Sequence, residues 1–253
     1  MNKLLSGLLL ILLMSFPAAE KVIPNDPWFK LQYSFNNPGG KLVIDSYSYK
    51  PSAKEYDAVK GIDPDMTRAW AVTAGKKDVV VALLDDGFFY QHEDIKDNIW
   101  KNPGESGLDK NGYPKETNGI DDDGKNVDLK ENFTYPVSFE NENILTVAEI
   151  DFKGELYRYK IDDRVLGSSY GEKNVDISAI GMNFTTFLKN NRSVYALGGG
   201  TSNSTPVVTG VAALALSVCP ELKALELKKI LMDSVKPLPS LKGKIKSGGM
   251  VNA

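Results

Sequence analysis

Ser202 stands two places after the glycine run Gly198, Gly199 and Gly200 and opens a long apolar stretch. The chemistry such a residue could do is nucleophilic. Glycines take backbone angles that other residues avoid, so the chain can turn sharply there and admit another chain or a substrate. A serine at a helix start sits where free N–H groups and the positive dipole end favour a developing anion. Pro206 is expected in the first turn or so, where a missing N–H costs least. Val207, Val208, Val211 and the run from Ala212 to Leu216 are apolar nearly all round, which predicts a buried helix. The same residues also describe an ordinary buried helix capped by serine or threonine after a glycine loop, and their types alone leave both readings open.

A serine hydroxyl becomes a useful nucleophile when a base takes its proton and an acid orients that base. For the acid, the run from Asp78 to Asp85 is apolar, rich in β-branched residues and closed by Asp85, Asp86 and Gly87. It predicts a buried parallel strand with Asp85 at its carboxyl end, where the functional groups of α/β sheets gather. For the base there is one histidine, His92, in the loop that leaves this strand. A further cluster, Asn118 to Asp128, packs Asp121, Asp122, Asp123, Asn126 and Asp128 around Gly119 and Gly124. Hard oxygen donors on a flexible turn suit Ca²⁺, although the distal Glu of an EF-hand is missing. A solvated acidic turn without metal fits the same residues.

Gly200-Thr201-Ser202-x-x-Thr205-Pro206-x-Val208-x-Gly210 resembles the nucleophile motif of the subtilases, the subtilisin-like serine peptidases. The resemblance implies Ser202 as nucleophile; Asn203, Ser204 and Val207 stand where the family usually has Met, Ala and His. Val79 to Gly87, followed by His92-Glu93-Asp94-Ile95, resembles the family's aspartate motif. That implies Asp85 as the triad acid and places His92 at a non-catalytic loop position. Asp86 replaces a small Thr or Ser, and a second carboxylate beside the first tends to raise its pKa. The acidic loop is similar to the family's loop after the aspartate motif, with Asp121, Asp123, Asn126 and Asp128 as the implied ligands of a calcium ion.

The similarity then skips. Glu131-Asn132-Phe133 matches the segment after the acidic loop, whereas Tyr135 to Val137, Asn143 to Ala148 and Asp151 match a strand far downstream in the family. The family segment between carries the catalytic histidine, a substrate-binding strand and the oxyanion-hole asparagine. None of these has a counterpart here. Val175-Asp176-Ile177-Ser178-Ala179-Ile180-Gly181 and the closing Gly243 to Ala253 resume the match. The resemblance therefore implies an α/β fold, a subtilisin-like mostly parallel sheet flanked by helices, missing central strands and the catalytic-His segment. It implies peptide or protein substrates by descent and a catalytically inactive chain. A secreted calcium-stabilised binding module and a non-functional deletion product remain the alternatives.

The chain has 253 residues, 42% apolar and 25% charged, which suits one globular domain. A net charge of −3 without a basic, aromatic-studded stripe argues against nucleic acid as a partner. Cys219 is the single cysteine, so no intramolecular disulfide can form, and a buried apolar thiol is expected. Lys3 followed by the apolar run Leu4 to Phe16 predicts a secretory signal over residues 1–19. An exported chain is then expected, with residues 20–253 as the truncated subtilisin-like domain and no membrane span in the mature form. Val22 to Met66 reads as irregular and polar, and the stripe within Leu222 to Val235 predicts a second helix.

Overall fold

The computed structural model describes residues 20–45, 53–83, 91–99, 141–189 and 192–253. Asp85, the candidate ligands Asp121, Asp123, Asn126 and Asp128, and the apolar N-terminal segment lie outside the described residues. In chain order the described elements are β1 (Gly40–Asp45), β2 (Ala53–Ala58), α1 (Met66–Val72), β3 (Val147–Ile150), β4 (Arg158–Ile161), β5 (Arg164–Gly167), β6 (Ile177–Ile180), β7 (Asn183–Lys189), β8 (Arg192–Gly198), α2 (Thr201–Val218), α3 (Ala224–Asp233), β9 (Lys236–Pro237) and β10 (Gly249–Met250).

The element that positions the site is a four-stranded sheet in the order β3-β6-β10-β9. Its first three strands run parallel, and β9 closes one side antiparallel to β10. Successive side chains of a strand point to opposite faces, and the two faces divide the core accordingly. Ala148, Ile150, Ile180 and Met250 join Phe152, Leu241 and Ile245 on one side. Ile177 and Ala179 meet Val207, Val208 and Val211 of α2 on the other, with Val147 packed at the margin. This is a mixed α/β arrangement of the expected class. Phe152 is 2% exposed and stands edge-to-face with Tyr33 and Tyr56. Phe152→Ala is expected to destabilise the chain by about 3–5 kcal/mol, read as a lower urea midpoint.

The amino ends of β3 and β6 are tied by a buried carboxylate. Asp176, 5% exposed, accepts from the Thr146 N–H at 3.0 Å and lies 3.0 Å from Lys228 Nζ of α3. Lys246 Nζ stands 3.7 Å away on the other carboxylate oxygen. Lys228 also donates to the Ile144 carbonyl.

Four sequence expectations are corrected. The described residues between Val22 and Met66 hold a strand pair where an irregular chain was expected: β1 and β2 pair antiparallel, and Leu42 and Ile44 alternate inward around the exposed Val43. The described part of the expected strand, residues 79–83, forms no strand, and Val80, Val81 and Leu83 are 53%, 54% and 55% exposed. The outer edge of β3 is closed instead by its own neighbours. The Glu149 carbonyl accepts from the Tyr157 N–H at 3.0 Å, and the Glu149 N–H donates to Ser168 Oγ at 2.8 Å.

Helix α2, finally, is only partly buried. Ala212 to Leu216 are half-buried and Val218 is exposed, because its carboxyl half borders an open cleft of about 490 Å³ against α1 and α3. Cys219, just past that half, is likewise only half-buried. Helix α3 falls inside the stretch expected for it, turning Leu231 inward and leaving Leu225 and Ile230 exposed.

Candidate active site

Helix α2 begins one residue before the serine. Gly200 is the N-cap at φ 105°, a conformation that L side chains rarely adopt, and it converts the extended strand β8 into the helix. Its carbonyl accepts from the N–H groups of Asn203 at 2.9 Å and Ser204 at 3.2 Å. Ser202 is thus the second helical residue and is exposed, and its hydroxyl has no hydrogen-bond partner among the described residues. Pro206 falls at the sixth helical position, later than expected, and its missing N–H leaves the Ser202 carbonyl without its helical donor. Ser204, by contrast, is fully buried and donates to the Ala179 carbonyl at 3.0 Å, which fastens the helix to β6.

Beneath the glycine turn lies a carboxylate that the motifs did not single out. Glu149 shares with Val147 the α2-facing side of β3 and is 3% exposed. Its Oε1 accepts the Gly200 N–H at 2.8 Å. Burial pushes its carboxyl above the ordinary value of 4.5, and the Gly200 hydrogen bond works in the opposite direction. The one signal in the sequence was an acid inside the apolar run Ile144 to Ile150. Which face it occupies depends on strand parity, and hence on where the strand starts.

The space for this carboxylate is made by absent side chains. A Cβ at Gly181 would come within 2.6 Å of both Glu149 Oε1 and the Gly200 carbonyl oxygen. One at Gly199 would meet the same Oε1 at 3.6 Å. Gly181→Ala is therefore expected to cost about 1–3 kcal/mol in chemical denaturation, since neither the carboxylate nor the turn can yield without losing the other.

The pH dependence has a definite sign. A buried acid with a raised folded-state pKa holds its proton more tightly in the folded chain than in the unfolded one. Stability is then greatest below the unfolded value and falls as pH rises through the interval up to the folded value. Glu149→Gln is expected to flatten that decline and to raise the neutral-pH urea midpoint relative to the acid one.

His92 is elsewhere. It is fully buried in the loop over residues 91–95, where its Nδ1 accepts the Asp94 N–H at 3.2 Å. A neutral ring then carries its proton on Nε2, which meets no acceptor among the described residues. The ring packs edge-on against Tyr195 of β8 at 5.1 Å between centroids. The Tyr195 hydroxyl donates to Glu93 at 3.1 Å, and burial with the Asp94 and Glu93 carboxylates raises its pKa far above the ordinary tyrosine range. No hydrogen bond joins His92 to Ser202 among the described residues. The cleft beside α2 is also remote from the serine, since it is lined by Val211, Leu214 and Val218, more than two turns along the helix. No group of metal-binding side chains occurs among the described residues.

A serine at a helix start, near the carboxyl ends of the parallel strands β3 and β6, stands in a mixed α/β arrangement. The chain belongs to the subtilase family, whose family model matches residues 122–248, half of its length. Among curated proteins, a subtilase cytotoxin component of Escherichia coli is 40% identical over 89 residues, 35% of this chain and 25% of that protein. Subtilisin-like protease 3 of Plasmodium falciparum is 35% identical over 34% of this chain and 11% of its own length. Subtilisin-like protease 1 of Plasmodium berghei is 33% identical over 49% and 20% respectively. The chain thus spans a quarter or less of these relatives. Among solved structures, the A-subunit of the AB5 toxin from E. coli matches with 29% identity over 47% of this chain and 40% of that chain, at a TM-score of 0.37. No helix among the described residues is long and apolar enough to cross a membrane.

Proposed function

We propose that this is an exported subtilase-family chain, peptidase by descent, in which Ser202 and Asp85 are residual triad positions without a base, so that proteolysis by the family mechanism is lost. One observation carries the reading: the sequence has a single histidine, and it is buried against Tyr195 with its Nδ1 engaged by the Asp94 N–H. An unassisted serine hydroxyl is a weak nucleophile, and the acid's work is to support a base that is missing.

The test is fluorophosphonate labelling of the purified chain, with Ser202→Ala as control and circular dichroism on the same sample. A folded, unlabelled chain is the expected result. Labelling confined to the wild type would overturn the reading.

Asp121, Asp123, Asn126 and Asp128 form a hard oxygen-donor set of the kind Ca²⁺ takes, and calcium held there would stabilise the fold without entering any reaction. The melting temperature is expected to rise with millimolar calcium over chelator, and to lose that response in Asp123→Asn.

A further inference from the structure

We propose that Glu149 is a positioning residue of the Ser202 site: its carboxylate, seated against Gly181 and Gly199 and holding the Gly200 N–H, fixes the turn from which α2 presents Ser202. The inference rests on Ser202 as the site's reference point, but its test does not require Ser202 to react. Two independent features converge on one atom. Oε1 of Glu149 lies 2.8 Å from the Gly200 nitrogen, and Gly181 leaves room for it only because it carries no Cβ, with Gly199 bordering the same atom at ordinary contact distance.

The turn has few other restraints. Gly200 stands at φ 105°, and its carbonyl is already committed to the Asn203 and Ser204 N–H groups. The Asn203 amide closes the far side by donating to the Gly199 carbonyl at 3.2 Å. A hydrogen bond to an ionised carboxylate is stronger than a neutral one, and near a helix start it also meets the positive dipole end. Glu149 is itself held at both backbone groups, by Ser168 and Tyr157, so the strand supports the contact rigidly. Tyr157 is the titratable neighbour that feels its charge, which adds to the effect of burial in raising the tyrosine pKa.

The experiment is the ¹H–¹⁵N spectrum of the full chain, titrated between about pH 4 and pH 8. In the wild type the Gly200 amide is expected to lie downfield and to shift in step with the Glu149 side-chain carboxyl. Glu149→Gln keeps an acceptor and the fold, and should hold the Gly200 resonance at one position across the range. Glu149→Ala should move the Gly200, Thr201 and Ser202 amides together and speed Gly200 hydrogen exchange by at least about tenfold. A Gly200 amide that does not follow the Glu149 titration overturns the proposal. So do unchanged Thr201 and Ser202 resonances in Glu149→Ala; if that variant fails to fold, the Glu149→Gln comparison decides alone.

Discussion

A peptide or casein substrate is expected to be hydrolysed no faster by the folded chain than by its Ser202→Ala variant. The size of the missing effect follows from how triad residues act. They work as a unit, so that in subtilisin loss of the histidine alone lowers turnover by about 10⁶-fold, nearly as much as loss of the whole triad. On the proposed reading an oxyanion donor is missing as well, and its loss, worth roughly 10²–10³-fold where a triad operates, adds little without a base. The surviving serine is exposed at the second position of α2, without a partner for its hydroxyl among the described residues. A lysine substitute would need to reach that hydroxyl. Lys228 and Lys236, whose ammonium groups are partly buried, are spent on Asp176 and on the Gly61 and Asp63 carbonyls. A Ser202-dependent rate above the variant's background would sink the expectation.

Asp176→Asn is expected to lower the unfolding free energy by about 3 kcal/mol, the lower end of the ~3–5 kcal/mol for breaking a buried ion pair. The lower end applies because the Lys228 side chain, 18% exposed, keeps some access to water and its bond to the Ile144 carbonyl. What is lost is a junction as well as a charge pair. The carboxylate joins the start of β3, through Thr146, to the start of β6 and to α3. The cost should appear in the urea midpoint, with a double-mutant cycle against Lys228→Met recovering part of it. A change below about 1 kcal/mol would mean that the pair behaves as an exposed one.

The central parts of the fold were legible because local and tertiary preferences agree there. The apolar run through Val147 to Ile150, the segment Ile177 to Ile180 and the helix after Ser202 each signal their own type, and the structure builds β3, β6 and α2 from them. Residues 79–83 carry an equally strong strand signal and form none. Strand propensity records fitness for a pleated, partnered surface, and no strand among the described residues pairs with them. β1 and β2 were missed for the opposite reason. Their signal is a short alternation at Leu42, Val43 and Ile44 among polar residues, and the pairing with Ala53 to Ala58 supplies the rest. At the site, residue types pointed to Ser202, whereas Glu149 emerged only once strand parity and the glycine cradle fixed which way it faces.

The stranded run at Val79 to Leu83 also governs how these molecules behave in company. An exposed β-branched segment outside any sheet is a template for the same segment in another copy, and nothing in its interior, from Val79 to Leu83, carries a charge or a proline to block stacking. Solubility should therefore fall steeply with concentration, with thioflavin-binding material forming on storage. A lysine introduced at Val81 should suppress it while leaving the sheet around Glu149 intact. For an exported chain of the kind proposed, colloidal lifetime rather than folding free energy would then set how much of it persists.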